Sequence, residues 1–203
     1  AYHSELDCVA SRFEGNQAGE IGADLARGGA ASLVFTPATW TNCRIAYNMS
    51  LAQSAWGGGI AAGAAGTGKG DLALTNCVFW GNWCFFMFGI GDGGGGALSA
   101  DTVSIINCTI AGNVSYPPYV PSPAVLWDGF LRMQNSIVAY NGLDPSDEAS
   151  CGPNIGYWGT PTLDDFYISH TCVYPDRDDI GGLWPWHSLM TNHLVDPGFA
   201  SGW

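Results

Sequence analysis

Apolar and polar residues alternate in short runs along the chain, and the runs return in one register. Leu6 and Cys8, Ala38 and Trp40, Leu72 and Leu74, Val103 and Ile105, Leu131 and Met133, and Phe166 and Ile168 are each separated by a single residue. A period of two is the strand period and sends these side chains to one face. Each of the first five runs leads into a motif that aligns without gaps: Ala10–Asn16, Asn42–Asn48, Asn76–Asn82, Asn107–Asn113 and Asn135–Asn141. The closing asparagines are 32, 34, 31 and 28 residues apart, and His170–Asp176 reads as a degenerate further copy. Self-similarity at such a period is the signature of a solenoid. The first residue of each motif suits a corner, because asparagine tolerates the left-handed conformation better than most residues. After the corner, Ser11, Cys43, Cys77, Cys108 and Ser136 are expected inward, followed by Phe13, Ile45, Phe79, Ile110 and Val138. Arg12, Arg44, Val78, Thr109 and Ile137 are expected outward.

Glycine marks a second place in each copy: Gly28-Gly29-Ala30, Gly58-Gly59-Ile60 and Gly95-Gly96-Ala97, with Pro123-Ala124-Val125 taking that place next. Each copy then reads as a Gly-Gly-apolar strand, a variable turn, two strands around an Asn corner and a variable loop. Helices have neither room nor pattern. The expectation is an all-β, right-handed parallel β-helix of about six rungs over residues 1–176. An irregular Pro- and Trp-rich segment over 177–203 is expected to pack on the last rung or on a neighbour.

The paired Gly-Gly-Ala/Ile and Phe-x-x-Asn motifs resemble those of right-handed parallel β-helix surface and secreted proteins, among them polymorphic outer-membrane proteins. The resemblance covers about residues 6–141, and Thr171–Tyr174 with Leu194–Phe199 resemble the segment that ends such repeats. It implies an extracellular or cell-surface location. It implies no single activity, because function belongs to sites rather than folds.

Composition narrows the partners. The 203-residue chain has a net charge of −12, with only 6 Lys and Arg. That argues against nucleic acid, whose phosphates need a basic surface, and no apolar run is long enough for a membrane-spanning helix. Gly63–Gly70 nearly spells a phosphate-binding loop, but Gly70 stands where that loop needs Ser or Thr, and a strand follows.

Several residue sets invite a chemical reading. Cys43, Cys77 and Cys108 share one inward position, which suits a stack of small buried residues; disulfides between neighbours stay open in an oxidising compartment. Cys151 and Cys172 lie outside that stack as a candidate disulfide, and with 7 cysteines at least one is left over. Late carboxylates (Asp144, Asp147, Glu148, Asp164, Asp165, Asp176, Asp178, Asp179) read as loop acids, with calcium binding or catalysis as alternatives. Glycoside hydrolysis needs two carboxylates facing across a sugar, and no such set is recognisable. Trp40 is assigned to the core. Trp80 is expected to be exposed with Trp83 just beyond it, and Trp56, Trp127, Trp158, Trp184 and Trp186 fall in turns or the tail. Exposed aromatics stack on sugars or fill interfaces; the alternative is that the tail covers them. Asn48, Asn107 and Asn113 head glycosylation sequons, but all are repeat positions expected to serve the structure.

The expected function is an extracellular structural subunit that associates with itself, head to tail, into a filament, sheath or surface layer. Its interface would use Leu6, Cys8, Trp184, Trp186 and Phe199, with no cofactor and no metal. The alternatives are a polysaccharide lyase or glycoside hydrolase, and a sugar-binding adhesin fragment.

Overall fold

Every strand pairing in the computed structural model is parallel, and no helix occurs among the described residues. These are residues 5–63, 70–86, 93–116, 123–141, 154–157, 166–174, 180–181 and 191–193. The fold is a parallel β-solenoid. Its first wall stacks Leu6–Val9, Ala38–Thr41, Asp71–Thr75, Thr102–Ile106, Leu131–Gln134 and Phe166–Tyr174 in that order. The second wall stacks Arg12–Glu14, Arg44–Ala46, Val78–Trp80, Thr109–Ala111 and Ile137–Ala139. Phe166–Tyr174 bends through the corner and completes both walls. Register follows the sequence repeat: Leu74 pairs with Trp40 and Ile105, and Phe79 with Ile45 and Ile110.

The corner between these walls is left-handed. Ala10, Asn42, Asn76, Asn107, Asn135 and His170 have φ between 48° and 55°. A second left-handed position, which the repeat pattern left unmarked, precedes each closing asparagine: Gly15, Tyr47, Gly81, Gly112 and Tyr140. Its signal in the sequence is the exchange of Gly and Tyr at one site.

The variable loop holds structure of its own. A third wall stacks Gln17–Gly19, Met49–Ala52, Trp83–Phe86 and Val114–Tyr116. Leu25–Arg27 and Ser54–Trp56 pair opposite it. A fourth wall stacks Ala31–Leu33, Ile60–Ala62, Leu98–Ala100, Val125–Trp127, Ile155–Tyr157 and Ile180–Gly181. Among the described residues the first and fourth walls are six strands deep and the third four, so about four turns carry every wall there, against about six rungs expected. Within 177–203, Ile180–Gly181 joins the fourth wall and Thr191–His193 pairs with Phe166–Tyr174.

The glycine pairs form a waist. Ile60 pairs with Ala31 and Leu98, so Gly57-Gly58 is the equivalent of Gly28-Gly29 and Gly95-Gly96, one residue earlier than the sequence motif suggests. Likewise Pro123 takes the place of Gly96, since Leu98 pairs with Val125. The first glycine of each pair is left-handed, with φ of 57°, 60° and 79°. The second approaches the third wall: a Cβ on Gly29 would lie 2.5 Å from Met49 N, one on Gly58 2.6 Å from the Trp83 carbonyl carbon, and one on Gly96 2.7 Å from that of Val114. No side chain fits there. The waist divides the section into two lobes. The larger holds the main core, including Trp40, Ile45, Leu74, Phe79, Ile105, Ile110, Trp127 and Val138. The smaller encloses Ala55, Cys84 and Phe86.

Candidate functional site

The residues singled out by the repeat fall into two columns. The corner asparagines Asn42, Asn76, Asn107 and Asn135 are exposed, and Asn76 Nδ2 donates to Asn42 Oδ1 at 3.2 Å. The closing asparagines are buried: Asn48, Asn82, Asn113 and Asn141 are at most 2 % exposed. Each amide oxygen accepts from the asparagine of the preceding turn twice, from its backbone N–H and from its side-chain amide. Asn48 does this to Asn82 at 3.1 and 2.9 Å, Asn82 to Asn113 at 3.0 and 2.8 Å, and Asn113 to Asn141 at 2.9 and 3.0 Å. The side-chain amide also donates to a backbone carbonyl of the preceding turn, as from Asn82 to Ile45 at 2.8 Å. Asn154 extends the ladder, accepting from Asn141 Nδ2 at 2.7 Å; it sits only 13 residues on, outside the repeat spacing, so the motif did not reveal it. Buried amides satisfied in this way hold register without charge. Of the three sequons, Asn48 and Asn113 are engaged in the ladder, and Asn107 alone stands on the surface.

The sulfur column follows the same logic. Cys43, Cys77 and Cys108 are buried at one inward position, between Ser11 and the buried Ser136 and Thr171. Their thiols reach backbone oxygens of their own or the preceding turn, Cys43 to Cys8 and Cys77 to Trp40, both at 3.3 Å. The Cys108 thiol is held far above its ordinary range, first by its hydrogen bond to Cys77 and then by burial. Burial pushes Cys84 in the small lobe up to about 12. Cys172 is half-buried on an outward position, and Cys151 lies outside the described residues.

Surface chemistry is sparse. Glu14 holds Arg12 at 2.9 Å and Arg44 at 2.8 Å across the first two turns, and Arg132 donates to Gln134 at 2.7 Å. Among the described residues no group of three or more His, Cys, Asp or Glu is placed to hold a metal ion. The late carboxylates Asp144, Asp147, Glu148, Asp164, Asp165, Asp176, Asp178 and Asp179 lie outside the described residues.

Apolar exposure is concentrated instead. On the first turn Leu6, Val9, Ile21, Leu25, Val34 and Phe35 are exposed, Val9 at 63 % and Phe35 at 70 %. Cys8 and Phe13 beside them are only half-buried, although their equivalents deeper in the stack are sealed. A second apolar strip runs along the third wall, where Trp83 is 44 % exposed and Phe85 stacks on Tyr116 with ring centroids 4.6 Å apart. Tyr47 stands beside it with its ring over Gly81. Trp40 is buried in the core, whereas three others depart from expectation: Trp56 and Trp127 lie in strands and are buried, and Trp80 is half-buried with its indole over Gly112. The Trp127 indole joins the main core, whereas Trp56 packs with Ala61 and Leu126 as a separate buried cluster. Strands of the fourth wall are thus covered on both faces, a packing that alternation does not disclose. Trp158, Trp184, Trp186 and Phe199 lie outside the described residues. Comparison with protein-family models, curated proteins and solved structures finds no match for this chain.

Proposed function

We propose that this solenoid is an extracellular structural subunit that associates end to end through its first turn, into a filament, sheath or surface layer. The observation that carries the reading is the concentration of exposed apolar residues on that turn, Leu6, Val9, Ile21, Leu25, Val34 and Phe35. The strands Leu6–Val9, Arg12–Glu14, Gln17–Gly19 and Ala31–Leu33 each end a sheet, paired on one side only among the described residues. An edge of this kind is a template for another strand at the same spacing. The occupant proposed is a second copy of the chain, whose far turn would present the same wall positions. A head-to-tail contact of this type propagates unless its rotation closes a ring.

The edge can be blocked without harming the fold. Leu6 N and Ala10 N donate inward to Pro37 and Thr41, so alternation points the N–H of Val9 at the open side. Val9→Pro therefore removes a donor that the subunit does not use, and Leu6→Lys adds a charge to the open face. Light scattering and electron microscopy of the double variant should show monomers with unchanged β-sheet circular dichroism, where the unsubstituted chain forms filaments. Assemblies that persist unchanged would reject the end-to-end reading.

A second reading is favoured by the aromatic strip of Tyr47, Trp83, Phe85 and Tyr116, which supports a sugar-binding surface. Aromatic faces of this sort stack on neutral sugar rings. Quenching of tryptophan fluorescence by neutral oligosaccharides, lost in Trp83→Ala, is the corresponding test.

A further inference from the structure

A series of four cysteines runs through the first turns: Cys43, Cys77 and Cys108 share the inward column whose first-turn place is Ser11, and Cys8 stands three residues before that place. Cys8 begins it, half-buried on the end turn. The Cys43 thiol reaches the Cys8 carbonyl at 3.3 Å. Cys77 and Cys108 follow on the next turns, and Cys108 Sγ lies 3.4 Å from Cys77 N, its side chain directed at the preceding turn. Beyond Cys108 the column passes to Ser136, whose hydroxyl accepts from Cys108 N at 3.1 Å, so the line of sulfurs stops there.

We infer that Cys8 pairs with Cys43 and Cys77 with Cys108 as two disulfides joining successive turns when the chain folds under oxidising conditions. Cys77 and Cys108 directly precede the paired Val78 and Thr109, and adjacent strands stand about 4.8 Å apart, inside the Cα window of roughly 4.4–6.8 Å that a disulfide spans. Cys8, whose register partner is Trp40, meets Cys43 across the corner, where the Cys43 thiol already reaches its carbonyl. The pairing is set by what each sulfur can reach. Bonding Cys43 to Cys77 would leave Cys8 and Cys108 at opposite ends with no sulfur in contact, whereas the proposed pairs use all four. The thiol–thiol hydrogen bond between Cys77 and Cys108 is the strongest influence on both groups, while Cys43 makes lesser ones with both Cys8 and Cys77. Cys84 is apart from the line in the small lobe, where burial keeps its thiol protonated.

The oxidant is a small disulfide such as oxidised glutathione. The Cys8 thiolate attacks one of its sulfurs, forming a mixed disulfide and releasing one reduced glutathione. The Cys43 thiolate then attacks the Cys8 sulfur, the Cys8–Cys43 bond forms, and a second reduced glutathione leaves. Each leaving thiolate takes up one of the protons given up by the two cysteines. Cys77 and Cys108 react likewise before the column closes over them. The first-turn assembly is not needed for any of these steps.

The test is to refold the full chain in a glutathione buffer, quench with acid, digest with pepsin without reductant, and identify linked peptides by mass spectrometry. Expected are a Cys8–Cys43 and a Cys77–Cys108 link, each two hydrogens lighter than its reduced peptides, and a higher urea midpoint than the reduced protein. Cys43→Ser tests the pairing, and serine already fills this column at Ser11 and Ser136. It should free Cys8 for alkylation while the Cys77–Cys108 link persists. A Cys43–Cys77 link, loss of the Cys77–Cys108 link in Cys43→Ser, or four thiols that all alkylate in the oxidised chain would overturn the inference.

Discussion

Asn82 is fully buried and bonded to the turns on both sides: it donates to Asn113 and Ile45 and accepts twice from Asn48. Replacing it by leucine keeps the volume but strands the backbone N–H and the side-chain amide of Asn48 without an acceptor. A buried polar group left unsatisfied costs about 1–3 kcal/mol, so Asn82→Leu should cost about 3 kcal/mol or more. Asn76, at the exposed corner with φ of 54°, serves chiefly by conformation, its side-chain hydrogen bond to Asn42 lying in solvent. Asn76→Ala should cost about 1 kcal/mol and Asn76→Gly almost nothing. Urea titrations of the three variants check this; equal losses at the two columns would mean that the ladder is no more than a set of corners. Both columns were legible in the sequence, because gapless repetition of asparagine is conspicuous. Their different roles were not, since burial and partner choice appear only when the turns are stacked. Asn154 was illegible for a related reason: a loop residue carried into the ladder by the fold shares no spacing with the repeat.

Close approach rather than pairing decides the behaviour of the walls. The waist brings the second glycine of each pair onto the backbone of the third wall. Backbone cannot swing aside as the tip of a side chain can, so Gly58→Ala should separate the two lobes locally and cost at least 3 kcal/mol. Gly15 makes the contrast: it is left-handed, at 69°, as Gly58 is not, but a Cβ there meets nothing within 4 Å. Gly15→Ala should cost only about 1 kcal/mol. Thermal melts of the two variants distinguish close approach from backbone conformation, and a Gly58→Ala shift no larger than that of Gly15→Ala would reject the waist as a steric limit. The glycine pairs were visible in the sequence, but the motif places the second copy one residue late. A third consecutive glycine, Gly59, made two alignments equivalent until Ile60 was seen to pair with Ala31. The third wall was also hidden, because its outward residues Met49, Leu51, Trp83, Phe85 and Tyr116 are as apolar as its inward ones and erase the alternation.

At the scale of the whole molecule, each turn touches only the turns beside it, so protection should follow position along the stack. Central amides, such as those of Ile45, Phe79 and Ile110, are enclosed on both sides. Those of Leu6–Val9 are, among the described residues, paired on one side. Native-state hydrogen exchange should therefore be slowest on the middle turns and faster by orders of magnitude on the first, under dilute monomeric conditions. Uniform protection would show instead that the solenoid opens as one unit. If copies stack through the first turn, its amides should gain protection as concentration rises, which joins this measurement to the proposed assembly.

The sequence by itself determined the class of fold, the register of the two walls that flank the Asn corner, and the inward identity of Cys43, Cys77, Cys108 and the apolar row from Phe13 to Val138. It could do so because period two fixes which face a residue takes, and repetition fixes which residues are neighbours across turns, so that a one-residue slip would reverse every side chain. Only the tertiary structure decided how the variable loop folds into further walls, which tryptophans are buried, and that the asparagines divide into an exposed corner and a buried ladder. It also set the Cys43 thiol against the carbonyl of Cys8, a residue whose register partner is Trp40. These features depend on distances between segments that share no period. The physical reason is that close packing is set by where the chain crosses itself, and the pattern of polar and apolar residues records only the face toward which each side chain turns.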